Sequence, residues 1–232
     1  RLNPFQLLTM KTHNIDQERV QSNFESYARS FDEIYGSLEK KSIITHSLDK
    51  WLRKSMFLRF RETLTNINHP DIHSVLDVGC GSGRYCAEFL KIGKTVTGVD
   101  IASEMLNLAK VLCKKEVPEG IIKFINGNYI DVSLGEKHDA AVLMGLFDYI
   151  ENPQPLLRKL KKDINTIILA TFPKDHNFLN SIRKVRYHFF KNCPLYFYSK
   201  TGLKKLFESC EFDQFSIFDS DREYYVKIDL HQ

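Results

Sequence analysis

The 232-residue chain is predicted to be an α/β protein: a mostly parallel seven-stranded sheet ending in an antiparallel hairpin, with an N-terminal helical cap. Three observations predict this. Between His73 and Ala170, short apolar runs alternate with amphipathic stretches, as strand–helix–strand crossovers require. Two further apolar runs, 212–218 and 223–229, are separated only by Asp219–Arg222, a link short enough to demand antiparallel pairing. Before residue 70, apolar residues recur at helical spacing.

The elements follow in order. Phe24, Tyr27, Phe31 and Ile34 mark one helical stripe. Ile44, Leu48, Trp51, Ser55 and Leu58 mark a second, with Lys50, Arg53, Lys54 and Arg61 on other faces. The basic stretch 50–61 reads as a solvated face, and peripheral contact with a membrane surface is its alternative. Pro70 and Asp71 break the pattern. Strands are expected at 73–78, 95–99, 121–125, 139–144 and 164–170, and helices at 84–92, 103–115 and 153–162. Ser103 is the expected N-cap of the second of these helices. His138, opening the fourth strand, is expected at the surface. Residues 171–198 read as an insertion before a helix at 200–209 and the hairpin. The chain thus divides into a cap, 1–70, and an α/β domain, 71–232, that carries the insertion.

Composition narrows the function. With 43% hydrophobic and 27% charged residues the chain is expected to fold as a soluble globular protein. A net charge of +4 argues against nucleic acid as a partner. No apolar run approaches the roughly 18 residues that span a bilayer, and the first ten residues hold no long apolar stretch. The five cysteines, Cys80, Cys86, Cys113, Cys193 and Cys210, are scattered and include no CxxC pair. Neither disulfides nor a zinc site is expected, no metal is expected elsewhere, and a reducing cytoplasm suits the chain.

The chemistry concentrates in Val75-Leu76-Asp77-Val78-Gly79-Cys80-Gly81-Ser82-Gly83-Arg84. A strand runs into a glycine-rich turn that opens a helix, whose free N–H groups suit an anion. Gly79, Gly81 and Gly83 permit backbone conformations closed to other residues and let a ligand reach the main chain. Dinucleotide folds place the third glycine five positions after the first, where this chain has Arg84. The next strand ends in Val96-Thr97-Gly98-Val99-Asp100, 17 residues beyond Gly83. A carboxylate there can accept from both hydroxyls of a ribose, and Ile101 can lie against an adenine.

These two segments resemble the class I S-adenosylmethionine (SAM)-dependent methyltransferases, whose first motif reads D-V-G-C-G-[ST]-G. The resemblance covers residues 73–170, and 200–229 by topology. It implies a Rossmann-like domain and SAM as cofactor, with S-adenosylhomocysteine as product. It implies Asp77 near the methionine amino group, Gly79 and Gly81, with Cys80 and Gly83 of the same turn, along the cofactor, Asp100 on the ribose and Ile101 on the adenine. Asn128, in Gly127-Asn128-Tyr129, stands where the family often has an aspartate facing the adenine amino group. Tyr129 belongs to the same expected site, and Met144 opens the segment Met144-Gly145-Leu146-Phe147 beside the reactive sulfur. The turn Leu160-Lys161-Lys162-Asp163 departs from the family's L-K-P-G-G, so no subfamily is assigned. Phe31-Asp32-Glu33-Ile34-Tyr35 is faintly similar to the opening helices of porphyrin and quinone methyltransferases.

The acceptor is less legible. Asp148, Tyr149 and Tyr198 are the catalytic candidates, with structural roles as their alternatives. The insertion, with helices from 20–64, is expected to form a lid. Tyr27, Tyr35, Arg183, Arg186, Tyr196 and Tyr198 are its candidate contacts for a flat, aromatic or lipid-like acceptor carrying an acidic group. O-, N- and C-methylation stay open. The rival functions are a nicotinamide-dependent oxidoreductase and a non-catalytic protein of the same fold acting by interaction.

Overall fold

The computed structural model describes residues 18–22, 24–25, 56–175 and 194–230. Its centre is one seven-stranded sheet of order β3-β2-β1-β4-β5-β7-β6. The strands are β1 (Ser74–Val78), β2 (Thr95–Asp100), β3 (Ile122–Asn126), β4 (His138–Leu143), β5 (Ile164–Pro173), β6 (Gln214–Asp219) and β7 (Glu223–Asp229). The first five pair in parallel, and β7 pairs antiparallel with both β5 and β6. The predicted sheet, parallel with a C-terminal antiparallel hairpin, is therefore the observed one.

Helices cover both faces, which is why the central strands are apolar at nearly every position. Alternate residues serve opposite layers. Val75, Ala140, Val142, Ile167 and Leu169 pack with α1 (56–67), α2 (Arg84–Lys91) and α3 (Ser103–Glu116). Leu76, Val78, Ala141, Leu143 and Ile168 pack with α4 (Gln154–Asp163) and α5 (Lys200–Ser209). Although expected within the N-terminal cap, α1 lies in this layer: Ile67 and Thr63 are fully buried. Among the described residues, no helix is long and apolar enough to cross a membrane.

Three local expectations are corrected. Ala102, in extended conformation, is the N-cap of α3, and Ser103 is already helical. β5 runs on to Pro173 because Thr171, Phe172 and Pro173 find partners in Tyr225, Tyr224 and Glu223. The insertion therefore leaves the sheet later than residue 171. His138 is buried: its Nε2 lies 2.9 Å from Thr97 Oγ1, and burial holds its pKa below the ordinary histidine range. Its strand stands between two others, so even a polar first residue is covered.

Candidate functional site

The turn after β1 is stitched to the end of β2. The Gly79 and Cys80 N–H groups both donate to the Val99 carbonyl, at 2.8 and 3.2 Å. The Gly81 N–H donates to Asp100 Oδ2 at 2.8 Å, and the Ala102 N–H donates to Asp100 Oδ1 at 2.9 Å. The Asp100 carboxylate is thus held by one backbone donor on each oxygen, and each oxygen keeps a further lone pair for a ligand. Burial raises its pKa, against the pull of the Ala102, Gly81 and Ile101 N–H groups.

The three glycines have different reasons to be glycine. All have positive φ, at 72°, 52° and 78° for Gly79, Gly81 and Gly83. A Cβ on Gly83 would come within 2.7 Å of Ala109 Cβ, so this residue lets α2 and α3 touch. A Cβ on Gly79 would lie 2.9 Å from Leu146 Cδ1. A Cβ on Gly81 would meet nothing within 4 Å, which leaves open space beside the backbone donor that faces Asp100.

Beneath this turn, Asp77 is 3% exposed and accepts from the Cys86 thiol at 3.2 Å. Burial pushes its pKa up to about 7; the Cys86 thiol opposes the shift and the nearby Asp100 charge adds to it. Cys80 turns its sulfur inward toward Gly98, so only its backbone faces the turn. On the other side, the Asn126 amide donates to the carbonyls of Asp100 and Ile101 at 3.0 and 3.1 Å, fixing the backbone where Ile101 leaves β2. Asn128 caps a single 3-10 turn, its Oδ1 accepting from the Ile130 N–H at 3.3 Å.

Two expected cofactor residues face elsewhere. Tyr129 is buried in the α4 layer, where its hydroxyl donates to Asp163 Oδ2 at 2.7 Å. Its ring follows the 3-10 turn inward, so it does not line the edge. The Met144 side chain packs into the α1 layer with its sulfur 3.9 Å from Thr63 Oγ1. Beyond it Gly145, at φ 78°, donates to Thr171 Oγ1 at 2.9 Å, and Leu146 sets its side chain against Gly79.

The other half of the carboxyl edge is assembled from distant parts of the chain. Asp148 is buried in the 3-10 turn Phe147–Tyr149, and its carbonyl accepts from the Tyr196 N–H at 2.9 Å. Tyr198 donates its hydroxyl to the Ile150 carbonyl at 2.6 Å and sets its ring edge-on to Phe172. That hydroxyl is a brace, and burial raises its pKa. Phe24 meets Tyr149 edge-on at 5.2 Å and also packs on Ala102 and Met105. Phe24 therefore touches both the β2–α3 corner and the β4 corner. Tyr27, Tyr35, Arg183 and Arg186 lie outside the described residues.

One residue went unnoticed in the sequence. Arg59, on α1, donates from Nη1 to both oxygens of Glu223, at 3.2 and 3.0 Å, while its Nε is buried without a hydrogen-bond partner. The Tyr85 hydroxyl and the Asp148 carboxylate lie within electrostatic reach of the guanidinium, and Tyr85 is in turn within reach of Asp77. No motif announces Arg59, because one arginine in a basic helix reads as a solvated face. Among the described residues, no group of three or more His, Cys, Asp or Glu is arranged to hold a metal.

Residues 76–163 match the family described as a methyltransferase domain. The chain is 29% identical over 156 residues to a ubiquinone biosynthesis O-methyltransferase of Haemophilus ducreyi, covering 64% of this chain and 60% of that protein. It is 25% identical over 154 residues to the protein of that name from Citrobacter koseri, covering 63% and 56%. The chain thus spans less than two thirds of the length of these relatives. Its fold is similar to that of magnesium protoporphyrin IX methyltransferase from Synechocystis PCC 6803, crystallised with S-adenosylhomocysteine, at a TM-score of 0.72 and 16% identity over 92% of this chain and 99% of that one. It is also similar to a SAM-dependent methyltransferase from Thermotoga maritima, at 0.59 and 14% identity over 81% and 96%. Residues 76–163 thus match the methyltransferase-domain family, and the sheet they lie in has the fold of solved SAM-dependent methyltransferases.

Proposed function

We propose that this chain is a SAM-dependent O-methyltransferase that acts on a small, flat acceptor. The observation that carries the reading is the doubly held Asp100 carboxylate beside the open space at Gly81. A ribose diol needs a fixed acceptor with spare lone pairs, and a ligand this close to the backbone needs a residue without a side chain. The residues present fit the cofactor's other end as well. Its amino acid is a zwitterion; Asp77 lies under the turn for the ammonium, and Arg59 offers an unpartnered N–H for the carboxylate. Ile101 and Asn128 sit beside β2 and β3, where an adenine would follow the ribose. The antiparallel β7 and the glycine spacing disfavour a nicotinamide cofactor.

The sulfonium supplies an activated methyl group, so the protein's task is to position the acceptor in line and keep water out. The aromatic pair of Tyr149 and Phe24, with Tyr198 and the backbone of Tyr196 tied to the same corner, suits a flat acceptor. Asp148, buried next to Tyr149 in the same turn, is the candidate to take a proton from an acceptor hydroxyl. Methylation at oxygen is favoured because the Haemophilus and Citrobacter relatives are O-methyltransferases. The four described cysteines are free thiols, which suits a reducing cytoplasm. The test is acceptor-dependent release of S-adenosylhomocysteine across phenols, quinols, carboxylates and amines. Turnover with a hydroxyl or carboxylate acceptor is expected; turnover with amines alone would overturn the choice of oxygen.

A further inference from the structure

We infer that Glu223 is a positioning residue for cofactor binding: from the first residue of β7 it holds Arg59 so that the guanidinium presents its opposite edge to the carboxylate of the cofactor's amino acid. The inference rests on the reading of Arg59 just given. Glu223 and Arg59 are 164 residues apart in sequence, and they meet because β7 pairs with β5. Glu223 lies opposite Pro173, the last residue of β5, and so stands at the carboxyl edge of the sheet. α1 runs down the same edge, where Thr63, one turn beyond Arg59, donates to the Arg59 carbonyl at 2.8 Å and lies 3.4 Å from the Tyr225 hydroxyl. The C-terminal hairpin thus grips the helix at two successive turns.

The way the pair is made decides between holding and competing. Both Glu223 oxygens bond the same nitrogen, Nη1. The Nε–H donates to nothing, although it is buried. A guanidinium fork offers its Nε/Nη2 edge to a second carboxylate without giving up the first. A long arginine without Glu223 would lose rotamer restriction and swing its charge toward water. Glu223 therefore raises affinity by fixing the donor, and it acts only on ligands that carry the carboxylate.

Calorimetric titration with S-adenosylhomocysteine and with 5′-methylthioadenosine separates the cases. The second ligand keeps adenine, ribose and sulfur but lacks the amino acid. Glu223→Gln is expected to weaken S-adenosylhomocysteine about tenfold while leaving methylthioadenosine within about twofold. Glu223→Asp, which keeps the charge, should fall between this variant and the wild type and guards against a glutamine variant that fails to fold. Equal weakening of both ligands would mean that Glu223 only supports the fold, and tighter S-adenosylhomocysteine binding would mean that it competes for Arg59; either result overturns the inference. Arg59→Lys tests the underlying reading: if it leaves S-adenosylhomocysteine affinity unchanged, Arg59 does not bind the carboxylate and the reading itself fails. If Arg59→Lys weakens binding and Glu223→Gln does not, the reading stands and this inference alone falls.

Discussion

The two halves of the sheet's carboxyl edge are built on different plans. At β1 and β2, the polar groups come from residues 77–102 and are largely backbone: the N–H groups of Gly79, Cys80, Gly81 and Ala102, with one carboxylate to receive two of them. At β4, β5 and β7, they are side chains from Arg59, Tyr85, Asp148, Tyr198 and Glu223, and tertiary pairing alone brings them together. A backbone site needs glycines at fixed spacing and so leaves a pattern in the sequence. A side-chain site drawn from five elements leaves none.

The sharpest way to probe this difference lies within the glycine turn itself. Gly83→Ala combines a left-handed φ of 78° with a Cβ 2.7 Å from Ala109 Cβ. It is expected to lower stability by about 2–5 kcal/mol, strain and overpacking together. Gly81→Ala has the same kind of φ but open space, so about 1–2 kcal/mol of strain is expected. Its larger effect should fall on cofactor affinity. Chemical denaturation and calorimetry on both variants check this; if both lose stability alike and neither loses affinity, the open space at Gly81 has no ligand to serve.

The second test uses pH. The folded pKa of Asp77 is about 7 against an ordinary value of 3.8, so the folded state holds its proton longer than the unfolded one. The stability this contributes is full below about pH 4 and is lost as pH rises toward 7, by at most about 4 kcal/mol. His138 works the other way: its folded pKa is lowered, so its contribution is present above about pH 6.5 and lost as pH falls. Asp77→Asn should flatten the loss between pH 4 and 7 in denaturation midpoints. An unchanged profile would show that Asp77 is ionised in the fold throughout.

A smaller effect belongs to Asp100. Asp100→Asn should weaken SAM binding by about 1–3 kcal/mol, the range for a hydrogen-bonded partner lost in a buried place. The smallest concerns the aromatic corner. Tyr198→Phe removes a hydroxyl bonded to the Ile150 carbonyl and should lower stability by about 1 kcal/mol. Because that hydroxyl is a brace, kcat should keep its pH profile; loss of a basic limb in the profile would make Tyr198 a participant in proton transfer.

These contrasts also explain what could be read in advance. Strand positions were legible because the central strands are buried on both faces and read as apolar runs. The hairpin was legible because the link Asp219–Arg222 leaves no room for a crossover. His138 was misread, since its side-chain polarity suggested the surface while its place between β1 and β5 covers it. Tyr129 and Met144 were placed by chain position, which says where the backbone passes but not which layer the side chain enters. Arg59 and Glu223 were missed because their meaning arises only when β7 inserts beside β5.

The turn after β1 and the end of β2 are proposed as the cofactor site. A crystal structure of the chain with S-adenosylhomocysteine tests it most directly. The ribose hydroxyls are expected on Asp100, the ligand passing over Gly81, and the amino acid between Asp77 and Arg59. A ribose bound away from Asp100, with the space at Gly81 filled by protein, would contradict it.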